Sequence, residues 1–389
     1  NTHTKGTTTI SYDTTKYDVD VDVSKVQSGE NATITVILPK DATGNVTIIV
    51  ANKKYNATVV NGTAKIITDV LYDGTYDVVV YYSGDDKYLN SVKQLNMTVD
   101  INKNVNLKAD DIVMFYKDGT RFIAVLTDYK GNPIANATVY FTINGATYAK
   151  TTDANGTASM GLNLLSNIYE ATVSYNGSDM YDGVSKNITV TINPTILSED
   201  ISLMYMDGTS FVAKFLDKSG KALVNTKITF NINGVFYDKV TDADGMAKLG
   251  IRLRPDVYIL TAYNPVTGEE KGFNINVKSL IESHDLTKYY LNESRYEVTL
   301  YNKDGSLAVN KTVTFNINGV FYTKTSDANG VASLGISLRP GEYIITTIFD
   351  GLSMGNKVTV LPTLVTHDLT MKYMDGSRFT VQTLDGQGK

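Results

Sequence analysis

Cysteine and tryptophan are absent from the 389 residues, and histidine occurs only at His3, His284 and His367. Without cysteine the chain can form no disulfide, no thiolate metal site and no cysteine nucleophile. The two internal histidines precede the same Asp-Leu-Thr sequence, which marks them as boundary residues rather than members of a catalytic triad. No nucleotide-binding loop, nucleophile elbow or HExxH motif occurs. We therefore expect a protein that is not an enzyme, with no catalytic, cofactor-binding or metal-binding residues.

Positive charge and long apolar runs are also scarce. The net charge is −5 and no basic cluster is present, which argues against a nucleic-acid partner. The longest apolar runs, such as residues 46–51, are far too short to cross a bilayer, so we expect no membrane insertion within this segment. The chain begins with Asn1 rather than Met and lacks the apolar core of a signal peptide, so we expect a mature or excised piece.

One ten-residue segment recurs along the chain. The sequence ITFNINGVFY at residues 228–237 returns as VTFNINGVFY at 313–322 and more loosely as VYFTINGATY at 139–148. Its phenylalanines, Phe141, Phe230 and Phe315, are 89 and 85 residues apart, a period too long for a solenoid and typical of tandem β-sandwiches. A further opening, YMDG at 373–376, starts a repeat that stops at Lys389, so we expect the parent protein to continue.

Apolar residues within each repeat alternate with polar ones. Ala247, Leu249, Ile251 and Leu253 share one face of a predicted strand, and the other two repeats keep the pattern. A period of two predicts strands with one buried face, and no segment carries a convincing helical stripe. We therefore predict an all-β protein with essentially no helix.

Turn signals separate these strands. Asn-Gly pairs between β-branched and aromatic runs predict two-residue hairpins, because a type I′ turn needs two residues with positive φ. This hairpin register places Ile232 opposite Val235 and Phe230 opposite Tyr237 in the second repeat. Asp-Gly pairs at 118–119, 207–208 and 375–376 predict further hairpins. The predicted structural turn residues are Asn144, Gly145, Asn233, Gly234, Asn318 and Gly319, together with the glycines of the Asp-Ala-x-Gly turns, Gly156, Gly245 and Gly330.

A tyrosine follows the corner after the inward strand of each repeat, at Tyr169, Tyr258 and Tyr343. Two interpretations are open. The hydroxyl bonds the backbone at the corner, as in sandwich folds, or the ring is an ordinary core aromatic.

The three repeats carry a pattern of the form D-x-x-G-x-x-x-x-N-x-x-V-x-F, then T-D-A-x-G-x-A, then a Leu/Ile strand and P-G-x-Y. This pattern resembles the bacterial Ig-like domains of the intimin and invasin type, group 1. Asn136, Asn225 and Asn310 stand where that family commonly has Gly, and asparagine is the next-best residue for a left-handed turn. Residues 1–100 resemble the related group 3 domains, and the whole chain is similar to large adhesin-like surface proteins of methanogenic archaea. The resemblance implies a sandwich fold and a cell-surface location.

Eleven Asn-x-Ser/Thr sequons are candidate N-glycosylation sites in a surface protein. Asn136, Asn155 and Asn310 are better explained as turn residues, because they lie in segments where the repeats share a turn. The better candidates are Asn31, Asn61, Asn96, Asn176 and Asn187.

Acidic residues and lysines suggest two further kinds of site. Asp18, Asp20 and Asp22 project from one face of a predicted strand, where they either hold a divalent cation or keep an edge strand from pairing. The edge-strand role is the stronger hypothesis. Asp242 and Asp244 lack a downstream Glu that would complete an EF-hand-like loop. An intramolecular isopeptide bond needs Lys, Asn and an acidic residue buried together, and the inward positions are apolar, so we predict none.

These observations predict an all-β fold of tandem Ig-like β-sandwiches forming an extended rod. The predicted domains are residues 1–100, 101–195, 196–280 and 281–364, with 365–389 as the opening strands of a further repeat. The predicted function is a non-enzymatic, extracellular stalk of a cell-surface, adhesin-like protein for attachment or cell–cell contact. Two alternatives are open: a self-assembling protein of a filament, sheath or surface layer, built by strand addition, and the accessory stalk of a secreted enzyme. The expected partners are other surface proteins, glycans or copies of the chain itself.

Overall fold

The computed structural model describes residues 14–389, so His3 lies outside the described residues. The chain divides into two compact units. The first consists of Asn1–Val113, Gly119–Leu162 and Ile168–Thr191, and the second of Met114–Asp118, Asn163–Asn167 and Ile192–Lys389. Every regular element among the described residues is a β-strand, as the period-two pattern predicts.

Within the described residues, seven strands form the first sandwich, in two sheets with the orders β1-β2-β5 and β4-β3-β6-β7. Buried Val and Ile side chains cover the inward faces, with Ile34 and Val36 from one sheet and Ile48 and Val80 from the other. Two sheets that bury their apolar faces against each other make a sandwich. The strands are β1 (Asp20–Val23), β2 (Glu30–Ile37), β3 (Asn45–Val50), β4 (Lys53–Thr58), β5 (Thr63–Leu71), β6 (Gly74–Tyr82) and β7 (Ser91–Val99).

Eight strands recur in each of the three repeats. The first repeat contains β8 (Val105–Lys108), β9 (Ile112–Phe115), β10 (Arg121–Asp128), β11 (Thr138–Ile143), β12 (Ala146–Thr151), β13 (Thr157–Gly161), β14 (Asn167–Tyr175) and β15 (Val184–Asn193). The second contains β16 (Ile196–Leu197), β17 (Ile201–Met204), β18 (Ser210–Phe215), β19 (Lys227–Ile232), β20 (Val235–Val240), β21 (Met246–Gly250), β22 (Asp256–Tyr263) and β23 (Glu270–Lys278). The third contains β24 (Ile281–Ser283), β25 (Leu286–Tyr289), β26 (Arg295–Leu300), β27 (Thr312–Ile317), β28 (Val320–Thr325), β29 (Val331–Gly335), β30 (Gly341–Phe349) and β31 (Leu352–Leu361).

Each repeat has one three-stranded and one five-stranded sheet. The orders are β13-β10-β8 with β12-β11-β14-β15-β9, then β16-β18-β21 with β17-β23-β22-β19-β20, then β24-β26-β29 with β25-β31-β30-β27-β28. In the second and third repeats an edge strand pairs in parallel, β17 with β23 and β25 with β31, which the sequence analysis did not predict. After the third repeat, β32 (Leu364–Thr366) pairs with β33 (Val381–Thr383) as a separate two-stranded sheet.

An aromatic pair joins the two sheets of every repeat. In each case a ring from the three-stranded sheet meets the phenylalanine of the recurring ten-residue segment nearly at right angles, as aromatic quadrupoles prefer. All six rings are buried, so the pair lies at the centre of each core. The pairs are Phe122 with Phe141 (4.7 Å between centroids), Phe211 with Phe230 (5.6 Å) and Tyr296 with Phe315 (5.7 Å).

The hairpin register in the second repeat is confirmed. Phe230 lies opposite Tyr237, and Ile232 lies opposite Val235. The predicted turn residues all have positive φ, with 50° at Asn144, 75° at Gly145, 52° at Asn233, 75° at Gly234, 51° at Asn318, 78° at Gly319, 70° at Gly156, 78° at Gly245 and 72° at Gly330.

The prediction of hairpins at the Asp-Gly pairs is wrong at 118–119 and 207–208, whereas 375–376 lies in the segment that joins the antiparallel strands β32 and β33. β17 belongs to the five-stranded sheet and β18 to the three-stranded one, so the turn between them crosses from one sheet to the other. The Asp207 carboxylate accepts the N–H groups of Met204 (3.0 Å) and Thr209 (2.7 Å). Because a side chain satisfies the turn, its flanking strands are free to pair elsewhere.

The first sandwich contains a two-residue hairpin that the sequence analysis did not predict. β3 and β4 are joined by Ala51 and Asn52, with φ values of 51° and 59°. Neither residue is glycine, so the Asn-Gly signal that marks the hairpins of the repeats is missing there.

The corner tyrosines of the second and third repeats bond the backbone. The Tyr258 hydroxyl donates to the Arg254 carbonyl (2.9 Å), and the Tyr343 hydroxyl donates to the Arg339 carbonyl (2.8 Å). Both rings also pack against their cores. The structure therefore favours the backbone-bonding interpretation for these two residues.

Replacing Ala51 with Gly should stabilise the first sandwich. Alanine in the left-handed region costs about 1 kcal/mol, and glycine avoids this cost while raising the entropy of the unfolded chain. We expect a net gain of about 0.5 kcal/mol, measured by calorimetric unfolding of the whole chain. The matched control is Asn144→Ala, which puts alanine at the equivalent turn position of the first repeat and should destabilise. A lower unfolding temperature for Ala51→Gly would contradict the prediction.

Candidate functional site

The described residues contain no group of three or more His, Asp or Glu side chains placed to hold a metal ion. Across the same residues no helix is long and apolar enough to cross a membrane. Asp18, Asp20 and Asp22 are exposed, and among the described strands β1 lies at the end of the order β1-β2-β5, so it forms one edge of its sheet. Charges on an edge strand disfavour pairing with another chain, and this placement agrees with that hypothesis.

Asp242 closes a turn, and the two described histidines are exposed to solvent. The Asp242 carboxylate accepts the N–H groups of Asp244 (3.0 Å) and Met246 (2.9 Å), so it closes its own turn. His284 and His367 are both exposed, one just before β25 and the other just after β32.

The five candidate glycosylation sites are all exposed and all lie in the first unit. Within residues 14–389 the side chains of Asn61, Asn96 and Asn176 make no hydrogen bond. The Asn31 amide donates to the Thr68 carbonyl (2.6 Å), and the Asn187 amide oxygen accepts from the Thr172 hydroxyl (2.8 Å). The five sites therefore differ in how freely the acceptor nitrogen projects into solvent.

Three other sequons occupy structural positions. Asn136 and Asn310 have φ values of 57° and 54°, as left-handed turn residues do. Asn292 is half-buried, and its amide donates to the Gly386 carbonyl (2.6 Å).

In the first unit, a loop of the first repeat packs on the sandwich before it. The Tyr129 and Ser28 hydroxyls are 2.8 Å apart, and Ser28 also donates to the Asp73 carboxylate (3.1 Å). The Lys130 ammonium lies over the Tyr72 ring, 4.3 Å from its centre. These contacts hold the D-x-x-G loop at 128–131 against the preceding sandwich.

In the second unit the same loop meets an aromatic ring. The Phe115 ring lies against Gly220, and the Tyr289 ring lies against Gly388, so closely that a Cβ on either glycine would overlap the ring. Phe115 and Tyr289 end equivalent strands, β9 and β25, and the two glycines occupy the same place in their loops. Gly305 occupies the same place in the loop of the third repeat, and no neighbouring atom lies close to it.

The second and third repeats are joined by different contacts. Met204 and Tyr205 pack against the core of the third repeat. The Arg254 guanidinium donates to the Ser353 carbonyl (3.1 Å). An apolar contact and a charge-assisted hydrogen bond therefore act together at this position.

A buried carboxylate lies at the start of the second repeat. Glu269 is 2% exposed, and its Oε2 accepts the Thr195 N–H (2.5 Å), the Thr195 hydroxyl (2.7 Å) and the Ile196 N–H (3.2 Å). Its Oε1 accepts the Ser166 hydroxyl (2.6 Å). Because hydrogen bonds to a carboxylate are charge-assisted, this cluster ties the chain before β16 to the turn before β23 and to segment 163–167. Nothing in the sequence separates Glu269 from its exposed neighbour Glu270.

A buried lysine overturns the expectation that the inward positions are purely apolar. Lys288 is 5% exposed, at a strand position where the first two repeats have Met114 and Leu203. Burial lowers the pKa of the Lys288 amine. Its ammonium donates to the backbone carbonyls of Asn292, Ser294 (3.0 Å) and Ile336 (2.9 Å).

The lowered pKa of Lys288 predicts a pH-dependent stability. Between the folded-state pKa and the ordinary value of 10.5, the unfolded chain binds more protons, so the free energy of unfolding rises with pH. Lys288→Met keeps the side-chain volume and should remove this rise. Urea unfolding of both proteins between about pH 7 and pH 10.5 checks the prediction. The control is Lys303→Met, at an exposed lysine. A pH profile of Lys288→Met parallel to that of the wild type would contradict the prediction.

No protein-family model matches the chain. Over 239 residues it is 26% identical to the inverse autotransporter adhesin YeeJ of Escherichia coli (strain K12), a match that covers 56% of this chain and 10% of the relative. The matched region is thus about a tenth of that protein's length. Among solved structures, the chain is similar to invasin, a bacterial integrin-binding protein (15% identity, 90% of this chain and 81% of that one, TM-score 0.29). It is also similar to a Ca²⁺-stabilized adhesin that helps an Antarctic bacterium reach out and bind ice (17% identity, 90% and 100%, TM-score 0.23).

Proposed function

We propose that the chain is part of the extracellular stalk of an adhesin-like cell-surface protein, serving attachment or cell–cell contact. In this role no residue performs chemistry, and the sandwiches stay folded while they hold a binding or anchoring region away from the cell. The observation that supports the proposal most directly is the recurring contact between the D-x-x-G loop of one sandwich and the residues before it, at Tyr129, Gly220 and Gly388.

The connections between sandwiches are very short. Two residues separate β15 from β16, β23 from β24, and β31 from β32. A connection of this length leaves little freedom for a flexible linker, and the loop contacts restrict it further. On this basis we propose domain boundaries after residues 100, 195, 280 and 364, and an extended row of sandwiches.

The sequence similarity to a bacterial adhesin supports the same class of function. That the chain comes from an archaeal surface protein is a hypothesis. The identity of its partners is a second hypothesis, and we expect them among surface proteins, glycans or further copies of the chain.

Solution scattering of the whole chain tests the stalk. A compact globule of this length has a radius of gyration of about 21 Å, and four sandwiches in a row give roughly twice that. We expect the larger value, and the compact value would contradict the proposal.

A glycine pair provides a matched control for the loop contacts. Gly220 and Gly305 both have a φ of 81°, but only Gly220 lies against a ring. Gly220→Ala should displace Phe115 and broaden the distribution of sizes in scattering, whereas Gly305→Ala carries the same backbone strain and should not. Equal effects of the two substitutions would show that the contact does not restrain the sandwiches.

We also propose that the first unit carries N-linked glycans. Asn96 and Asn176 are exposed and unbonded, so we expect them to be occupied. We expect lower occupancy at Asn31 and Asn187, whose amides are bonded, and at Asn61, which has the positive φ of a turn residue (51°). Glycopeptide mass spectrometry of native protein measures this. Asn292 supplies the internal control, because it is half-buried with its amide bonded, and a glycan there with none at Asn96 and Asn176 would contradict the proposal.

A further inference from the structure

The outward face of the five-stranded sheet carries the same row of four residues in the second and third repeats. In each row the residues stand directly opposite one another on four adjacent strands, so with strands about 4.8 Å apart a row is about 14 Å long. We call these sets the second-repeat row and the third-repeat row. The second-repeat row is Phe236, Asn231, Thr261 and Gly272, and the third-repeat row is Phe321, Asn316, Thr346 and Gly355.

One end of each row is an exposed aromatic ring and the other is a notch. Phe236 is 66% exposed and Phe321 is 64% exposed. At the far end glycine has no side chain, and an exposed isoleucine, Ile259 or Ile344, flanks the gap. The row is therefore a shallow platform, open to a ligand that lies flat across the strands.

The polar groups between ring and notch are available for binding. The four Asn and Thr residues of the two rows are half-buried, and within the described part of the chain their side chains make no hydrogen bond. An amide offers two donors and an acceptor, and a hydroxyl offers both functions. The rows thus present unused donors and acceptors beside an apolar ring.

The first repeat shows that this arrangement is not a requirement of the sheet. Its equivalent residues are polar throughout and bond one another, with the Thr142 and Thr147 hydroxyls 2.9 Å apart and the Thr172 hydroxyl donating to Asn187 (2.8 Å). The same fold therefore tolerates a row without a ring, a notch or unused polar groups.

Two ion pairs lie beside the rows, and the exposed Glu270 lies two residues before Gly272 in the second repeat. Lys227 pairs with Asp238 (2.7 Å) beside the second-repeat row, and Lys357 pairs with Glu342 (2.6 Å) beside the third-repeat row. No row residue is charged. A ligand that complements the rows is therefore itself neutral.

We propose that the second-repeat and third-repeat rows bind neutral saccharide chains. A sugar ring has a flat C–H face that packs on an aromatic ring, and its hydroxyls exchange hydrogen bonds with the amide and the threonine. The glycine lets the saccharide chain approach the protein backbone closely. A purely apolar partner would cover the Asn and Thr side chains without bonding them, at a cost for each group, and no row residue offers a counter-charge to a charged ligand.

This inference rests on the proposed adhesive function and adds a ligand class to it. Each of the two proposals can be contradicted while the other stands. Scattering tests the stalk, whereas saccharide binding tests the rows.

The experiment is calorimetric titration of the whole chain with neutral tetrasaccharides: cellotetraose, maltotetraose, mannotetraose and tetra-N-acetylchitotetraose. We expect at least one to bind with a Kd of about 1 mM or tighter. Phe236→Ser combined with Phe321→Ser should weaken it at least tenfold, and Asn231→Leu combined with Asn316→Leu should do so independently. Because all four side chains are on the outer face, circular dichroism should show intact folding in both variants.

Thr147→Ala is the matched control, at the ring position of the first repeat, and should leave the affinity unchanged. Three results would overturn the inference. The first is that no tetrasaccharide binds at about 10 mM. The second is that binding survives both double variants. The third is that the chain self-associates without sugar and the phenylalanine variants abolish this association, which would make the rows a protein interface.

Discussion

The edge-to-face contact between two buried rings holds the sheets of each repeat together, and the rest of the repeat is arranged around it. One ring comes from the three-stranded sheet and the other from the strand that leads into the Asn-Gly hairpin. Fixing Phe230 inward also fixes Ile228 and Ile232 inward, because side chains alternate along a strand. The same alternation forces the residues between them outward. The outer face is thereby free to vary while the core stays constant.

That freedom is used differently along the chain. The first unit carries the five candidate glycosylation sites, and the outer faces of the second and third repeats carry exposed phenylalanine and isoleucine. The position of Asn187 in the first repeat is taken by Gly272 and Gly355 in the others. One position on one fold thus presents either a polar side chain or a gap. A function that belongs to the outer faces can change from repeat to repeat without cost to the core.

Polar groups as well as apolar ones fix the loops at the ends of the sandwiches. Glu269 collects hydrogen bonds from the residues just before β16, and Lys288 binds the carbonyls of the turn after β25. Short connections bring backbone groups together that no sheet can pair, and a buried charge can satisfy several of them at once. The glycines of the D-x-x-G loops serve the same places by leaving room for a ring.

The sequence by itself determined the all-β class, the apolar inward residues and the hairpin register, because the alternation of side chains and the positive φ of Asn-Gly turns are local properties of the backbone. Its sequon, ligand and partner assignments stay predictions. Only the tertiary structure decided that the first two Asp-Gly turns cross between sheets, that β17 pairs in parallel with β23, and that Glu269 and Lys288 are buried. Each of these depends on strands or loops that lie tens of residues away. Local chemistry cannot specify such a partner, because the packing of distant segments decides which groups lose their contact with water.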